Sequence, residues 1–127
     1  MSSSGLQAVH NLLGSYGLLL DRLQVEEWLD LFTDDAVLDI DGNALDSREK
    51  RRGLTASAPR GLHVANLPVI RGDLDGDGLS ATSTFLFWNT EKSTTRLGWY
   101  DDTLVRVEGG WRFSLRRISF LDQSALR

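Results

Sequence analysis

The chain contains no cysteine. That excludes a disulfide framework, a thiolate-held zinc or iron–sulfur site and a cysteine nucleophile. Histidine is nearly absent as well: His10 and His63 are the two in the chain, too few for a histidine-rich metal centre. No long apolar run exists; the longest covers residues 17–20, far short of the ~20 residues that span a bilayer. The opening Met-Ser-Ser-Ser-Gly lacks the basic n-region of a secretory signal, so a cytoplasmic protein is expected. Positive charge is not in excess: 14 basic against 18 acidic residues leave a net charge of −4, which disfavours nucleic acid or an anionic membrane as partner. Dinucleotide-binding, phosphate-loop and nucleophile-elbow motifs are all missing.

What is present is an ordinary globular composition, 41% apolar and 25% charged over 127 residues, read as a single domain over residues 1–127. Leu6, Val9, Leu13, Tyr16 and Leu20 recur at helical spacing and predict a helix over 6–23. Val25, Trp28, Leu29 and Phe32 predict a shorter one over about 25–32, ended by Thr33-Asp34-Asp35. Residues 36–41 alternate as a strand, with Ala36, Leu38 and Ile40 on one face. The polar stretch 42–60 reads as a loop with at most one short helix near 47–56. Strands are predicted at 62–71, 79–89, 95–107 and 111–121, with turns rich in Gly and Asp between the first two and between the last two. Asp73-Leu-Asp-Gly-Asp-Gly78 imitates half a calcium loop, but Thr84 stands where the bidentate Glu belongs, so a hairpin turn is expected. Helices first and then a largely antiparallel sheet make an α+β fold with helices on one face. Alternation places Phe85, Phe87, Trp99 and Val105 on one face and Leu86, Trp88, Tyr100 and Leu104 on the other. Both faces are then apolar, and the helices cover only one.

Four positions carry most of the chemistry. His63 opens a strand, and its neutral imidazole is either a general base or a hydrogen-bonded structural residue. Asp21 ends an apolar helix on the face of Gly14, Gly17 and Leu18, where glycines admit a close neighbour; it is either a pocket carboxylate or a solvated helix-end residue. Tyr16 lies about 140° around the axis from Asp21 at ~100° per residue, so the two meet only in a pocket wrapping the helix end. Otherwise Tyr16 is a core residue with a satisfied hydroxyl. Arg117 follows Trp111, Phe113 and Leu115 in parity and either enters the interior as a clamp for an anion or carbonyl, or is turned outward by a bulge. Asp101 and Thr103 share the parity of Trp99.

The stretches Tyr16-x4-Asp21 with Trp28-Leu-Asp-Leu-Phe-Thr-Asp-Asp-Ala36, Arg60-Gly-Leu-His-Val-Ala-Asn66, Gly98-Trp-Tyr-Asp-Asp-Thr-Leu-Val-Arg106 and Gly109-Gly-Trp-Arg-Phe-Ser-Leu-Arg-Arg117 resemble the SnoaL-like families of the nuclear transport factor 2-like superfamily. The resemblance spans nearly the whole chain. It implies a cone-shaped α+β barrel, with N-terminal helices packed in a curved, mainly antiparallel sheet. In the scytalone dehydratase, bile-acid dehydratase and hexachlorocyclohexane dehydrochlorinase branch, an Asp–His dyad does the chemistry. Asp21 and His63 fall on those two positions, and Tyr16 falls on a tyrosine of the bile-acid enzyme pattern. Two features depart. The inward residue of the first strand is Ile40, not the carboxylate of ketosteroid isomerase relatives, and no second histidine follows His63 as in scytalone dehydratase. Segment 42–60 is also short for the family.

The resemblance therefore implies a small, cofactor-independent lyase or isomerase. Dehydration, β-elimination or cyclisation of an apolar, ring-containing molecule is expected, in a pocket walled by Trp28, Phe32, Phe85, Phe87, Trp99 and Leu115, with Asp101, Thr103 and Arg117 as further contacts. The last two strands also resemble the small subunit of ring-hydroxylating dioxygenases, which implies the alternative of a non-catalytic structural or binding subunit. Dimers are common in these families, and a homodimer through the outer sheet face is expected.

Overall fold

The computed structural model describes residues 3–108 and 110–121. Met1, Ser2, Gly109 and residues 122–127 lie outside the described residues, so the ends of the expected 1–127 domain and part of the Gly109–Gly110 motif do too. The elements run α1 (Ser3–Asp21), α2 (Val25–Leu29), β1 (Phe32–Ile40), β2 (Asn43–Leu45), α3 (Arg48–Ser57), β3 (Gly61–Ala65), β4 (Val69–Gly72), β5 (Gly78–Asn89), β6 (Thr94–Val107) and β7 (Gly110–Phe120). The α+β order read from the sequence is the one found. The sheet has seven strands in the order β2-β1-β7-β6-β5-β3, with β4 also paired to β5. Its pairs are antiparallel except β1 with β7, and it curves around the helices without closing.

The expected second helix stops at Leu29, and β1 starts at Phe32 and runs through Thr33-Asp34-Asp35; two further local differences from the sequence reading have simple causes. The strand expected over 62–71 breaks into β3 and β4, both paired to β5, around Asn66-Leu67-Pro68; a proline has no N–H to give a ladder. The stretch 42–60 gains the three-residue strand β2 ahead of α3. Ser47 caps α3 by accepting the Lys50 N–H at 3.1 Å, as serine does at helix starts. Asp73–Asp77 is the β4–β5 turn, with Asp73 Oδ1 accepting the Asp75 N–H at 2.9 Å.

The core is aromatic. Trp28, Phe32, Phe113 and Leu104 are all but fully buried, with Tyr16 and Tyr100 beside them. The Tyr16 ring meets Trp28, Phe32, Tyr100 and Phe113 at centroid distances of 5.7–6.3 Å, in tilted or edge-on contacts. Full burial of such side chains contributes about 1.5–3 kcal/mol each.

The sheet register corrects the expected faces. On β5 and β6, Phe85 pairs with Gly98, Ser83 with Tyr100, Ala81 with Asp102 and Leu79 with Leu104. Directly paired residues share a face, so Tyr100, Asp102 and Leu104 point inward and are buried, while Trp99, Asp101 and Thr103 are exposed on the outer face. This is the reverse of the face expected for Trp99 and Tyr100, because both parities of β6 carry apolar residues and alternation alone does not say which is inner. On β7, Thr103 pairs with Leu115 but Leu104 with Phe113, leaving Ser114 as an extra residue. This bulge reverses the parity: Trp111 and Phe113 face in before it, and Arg116 and Ile118 after it. Leu115 and Arg117 are thereby turned off the inner face, and Arg117 lies 3.6 Å from Asp39 on the surface.

Candidate active site

Asp21 is the last residue of α1, and the helix end is built to hold it. The Gln24 N–H bonds the Leu19 carbonyl at 2.9 Å and the Leu23 N–H bonds the Leu20 carbonyl at 3.1 Å. These are the two bonds of a Schellman closure. Leu23 takes the left-handed position there, at φ 59°, where glycine is the usual occupant. A carboxylate at a helix C-terminus faces the negative end of the dipole and opposes it. Asp21 therefore costs the helix stability, and its compensation lies in its partner.

That partner is His63. Asp21 Oδ1 lies 2.5 Å from His63 Nδ1, and Asp21 Oδ2 accepts the His63 backbone N–H at 2.8 Å. Both oxygens thus grip one residue, from the side chain and from the strand. A carboxylate only accepts, so Nδ1 carries a proton, and in the neutral ring the lone pair is then on Nε2; among the described residues Nε2 makes no hydrogen bond. Gly17 makes this approach possible: a Cβ added there would stand 2.8 Å from the His63 Cβ. On its other side the imidazole packs on Phe87, centroids 4.6 Å apart.

His63, Asp21 and Tyr16 border a cavity of about 390 Å³. Much of its wall is apolar, from Leu20, Ile40, Phe85, Phe87, Ile118 and Phe120. Tyr100 joins Tyr16 at the wall, its ring stacked on Phe85 at 4.4 Å. Gly98 leaves room for that stack, since a side chain there would meet the Phe85 ring at 2.9 Å. Burial pushes the Tyr16 hydroxyl up to about 12, with the Asp102 and Asp21 carboxylates adding to the rise and Arg116 opposing it. Burial raises Tyr100 further, with help from Tyr16. Both phenols therefore stay protonated donors at neutral pH.

Behind the tyrosines lies a buried ion pair. Arg116 Nε and Nη2 donate to the two Asp102 oxygens at 2.8 and 2.9 Å. The guanidinium lies 4.3 Å from the Tyr16 ring centre and 3.8 Å from that of Tyr100, a cation–π contact to each. Burial drives the Asp102 carboxyl up and Arg116 pulls it down, while Asp102 holds the buried Arg116 charged.

Of the residues expected at the site, Asp21, His63, Tyr16, Phe85 and Phe87 are gathered at this cavity. Trp28 and Phe32 are not; they lie behind Tyr16 in the core. Trp99, Asp101, Thr103, Leu115 and Arg117 are absent from its lining, for the reasons of register given above. Sequence reasoning missed Tyr100 and Arg116, whose inward positions depend on the β5–β6 register and on the Ser114 bulge. Ile40, on the inner parity of β1, reaches the cavity as that alternation requires.

A SnoaL-like domain model matches residues 3–117. The chain belongs to the SnoaL-like domain family. No curated protein matches it. Among solved structures, a Mycobacterium tuberculosis protein of unknown function, solved as a single-residue variant, is 24% identical with a TM-score of 0.82, over 91% of this chain and 71% of its own. A candidate scytalone dehydratase of Novosphingobium aromaticivorans is 20% identical with a TM-score of 0.76, over 92% and 84%. The beta subunit of a candidate aromatic-ring-hydroxylating dioxygenase from the same organism is 24% identical with a TM-score of 0.77, over 91% and 88%. At these identities the likeness is one of fold. This SnoaL-like chain shares its scaffold with an enzyme-type neighbour and with a subunit-type neighbour, so function has to be argued from the site.

Proposed function

We propose that this SnoaL-like protein is a small cytoplasmic lyase or isomerase, independent of cofactor, that removes a proton from carbon in an apolar, ring-containing molecule. The observation that carries the reading is the two-point grip of Asp21 on His63 at the wall of an apolar cavity. His63 Nε2 takes the proton from a carbon next to a carbonyl. The electron pair left on carbon forms the new double bond as a β-hydroxyl departs, or shifts it in an isomerisation. Asp21 fixes the tautomer and stabilises the imidazolium; the negative end of α1 acts in the same sense. Tyr16 donates a hydrogen bond to the carbonyl or leaving hydroxyl, with Tyr100 beside it. Proton return from the imidazolium to the departing hydroxide releases water and resets the site.

A second reading is a structural subunit, favoured by the apolar outer face of the sheet, where Leu62, Val64, Trp88 and Trp99 are exposed. The open cavity beside His63 supports the enzyme instead, since a purely structural subunit has no use for unfilled interior. The outer face is accounted for by a homodimer packed sheet against sheet.

The test is a panel of cyclic β-hydroxy ketones, with formation of the conjugated product followed by NMR. Conversion by the wild-type protein is expected, with Asp21→Asn at least about a hundredfold slower. Wild-type rates equal to buffer across the panel, or an Asp21→Asn protein that is unimpaired, would reject the mechanism.

A further inference from the structure

The mouth of the cavity carries positive charge. Arg60, Lys92 and Arg96 all line it, together with Asn89, Thr94 and Thr55. The three cations are exposed, so they mark the mouth, while the phenyl rings and Ile118 mark the interior. Among the described residues none of the three forms an ion pair. Among the described residues Asp21 is the one carboxylate lining the cavity, and it is engaged by His63. Glu91, at the tip of the β5–β6 hairpin, accepts the backbone N–H of Arg60 at 2.8 Å and does not line the cavity. In a chain of net charge −4, three cations at one opening are a local reversal of sign, which attracts anions.

Their placement gives a geometry. His63 pairs with Phe87 on β5, and Phe87 pairs with Arg96 on β6. The three form one cross-strand row on the inner face. With strands about 4.8 Å apart, the His63 and Arg96 backbones stand about 10 Å apart, with the Phe87 ring between. The Arg96 guanidinium is held at 3.9 Å over the Phe120 ring, so it lies against the apolar wall. Guanidinium over an aromatic face keeps its N–H edge free for a planar oxyanion.

From this we infer that the natural ligand is amphipathic: a ring system lying along Phe87, with one edge against His63 and an anionic oxygen group, carboxylate or phosphate, held at the other by Arg96 with Lys92 and Arg60. This inference rests on the reading of the cavity as the substrate site but not on the proton transfer proposed there.

Three matched probes test it by isothermal titration at low salt: 2-naphthoate, 2-naphthyl phosphate and the uncharged 2-naphthamide. At least one oxyanion is expected to bind about tenfold tighter than the amide, as a few partly exposed charge contacts provide, and the advantage shrinks at high salt. The tighter of the two oxyanions names the group. Arg96→Met with Lys92→Gln, made together and singly, removes the advantage while the amide's affinity holds, and the melting temperature shows that the fold is kept. His63→Ala keeps the advantage, so a failed proton-transfer mechanism leaves this result intact. An amide bound as tightly as both oxyanions, an advantage that survives the double variant, or no saturation by any probe at millimolar concentration overturns the inference.

Discussion

Gly14 and Gly17 look alike in the sequence, one turn apart on α1, and the structure separates them. A side chain at Gly14 meets nothing within 4 Å, whereas one at Gly17 collides with His63. Gly14→Ala is expected to raise stability by up to ~1 kcal/mol through helix propensity, with activity unchanged. Gly17→Ala has the same propensity gain, but its methyl pushes the imidazole off Asp21. A net loss of about 1–2 kcal/mol and a clear drop in turnover are expected; denaturant melts and rate measurements on the pair distinguish the two roles. The tyrosines give a second residue-scale expectation. The chain has two, and both are raised above the ordinary value of 10, Tyr16 to about 12. A raised folded value means that the folded state holds the proton more tightly than the unfolded chain does. The stability from burying these phenols is complete below pH 10 and is lost as pH rises toward 12. A spectrophotometric titration should show no phenolate in the folded protein near pH 10, and both phenolates on unfolding. Phenolate appearing near pH 10 without unfolding would contradict the burial.

At the scale of elements, α3 covers one side of the cavity through Leu54 and Thr55, and a single buried side chain anchors it. Arg51 Nη1 donates to the Ala36 carbonyl at 2.7 Å and Nη2 to the Thr33 carbonyl at 3.2 Å, and its guanidinium lies 5.0 Å from the Phe32 ring centre. Arg51→Met keeps the stem but strands those carbonyls. A loss of about 2–4 kcal/mol in chemical denaturation is expected, with wild-type stability arguing against the anchor. Elements were also where the sequence was most readable. Helical periodicity located α1, and turn chemistry located the β4–β5 and β6–β7 connections. Residue types at special places, a carboxylate at a helix end and an imidazole at a strand start, marked Asp21 and His63. What stayed hidden was relative register. Alternation within β6 says that Trp99 and Tyr100 face opposite ways, but only pairing with Phe85 on β5 says which faces in. The Ser114 bulge then moved Arg116 inward and Arg117 outward, which is the second of the two readings open for Arg117 in the sequence; what the sequence did not give was the place of the extra residue, and with it the inward turn of Arg116.

For the whole molecule, the corrected register changes which residues an assembly would use. Leu104 and Tyr100 are core residues, so the outer apolar face consists of Leu62, Val64, Leu86, Trp88, Leu97 and Trp99 across three adjacent strands. Monomers rarely expose so continuous an apolar surface, and the proposed two-fold pairing of this face with itself would cover it. Light scattering after size exclusion is expected to give twice the 14.2 kDa chain mass. Trp99→Glu should shift it to monomer with little change in the secondary structure. A wild-type monomer at micromolar concentration would contradict this assembly.

The proton-transfer mechanism is tested most directly in a folded His63→Ala protein, assayed with and without free imidazole on the ring compound that the wild-type protein converts. Loss of the catalytic base is expected to lower the rate by about 10²–10⁴-fold, with activity returning in proportion to added imidazole and an unchanged melting curve. A folded His63→Ala protein that turns over at the wild-type rate without imidazole would contradict it.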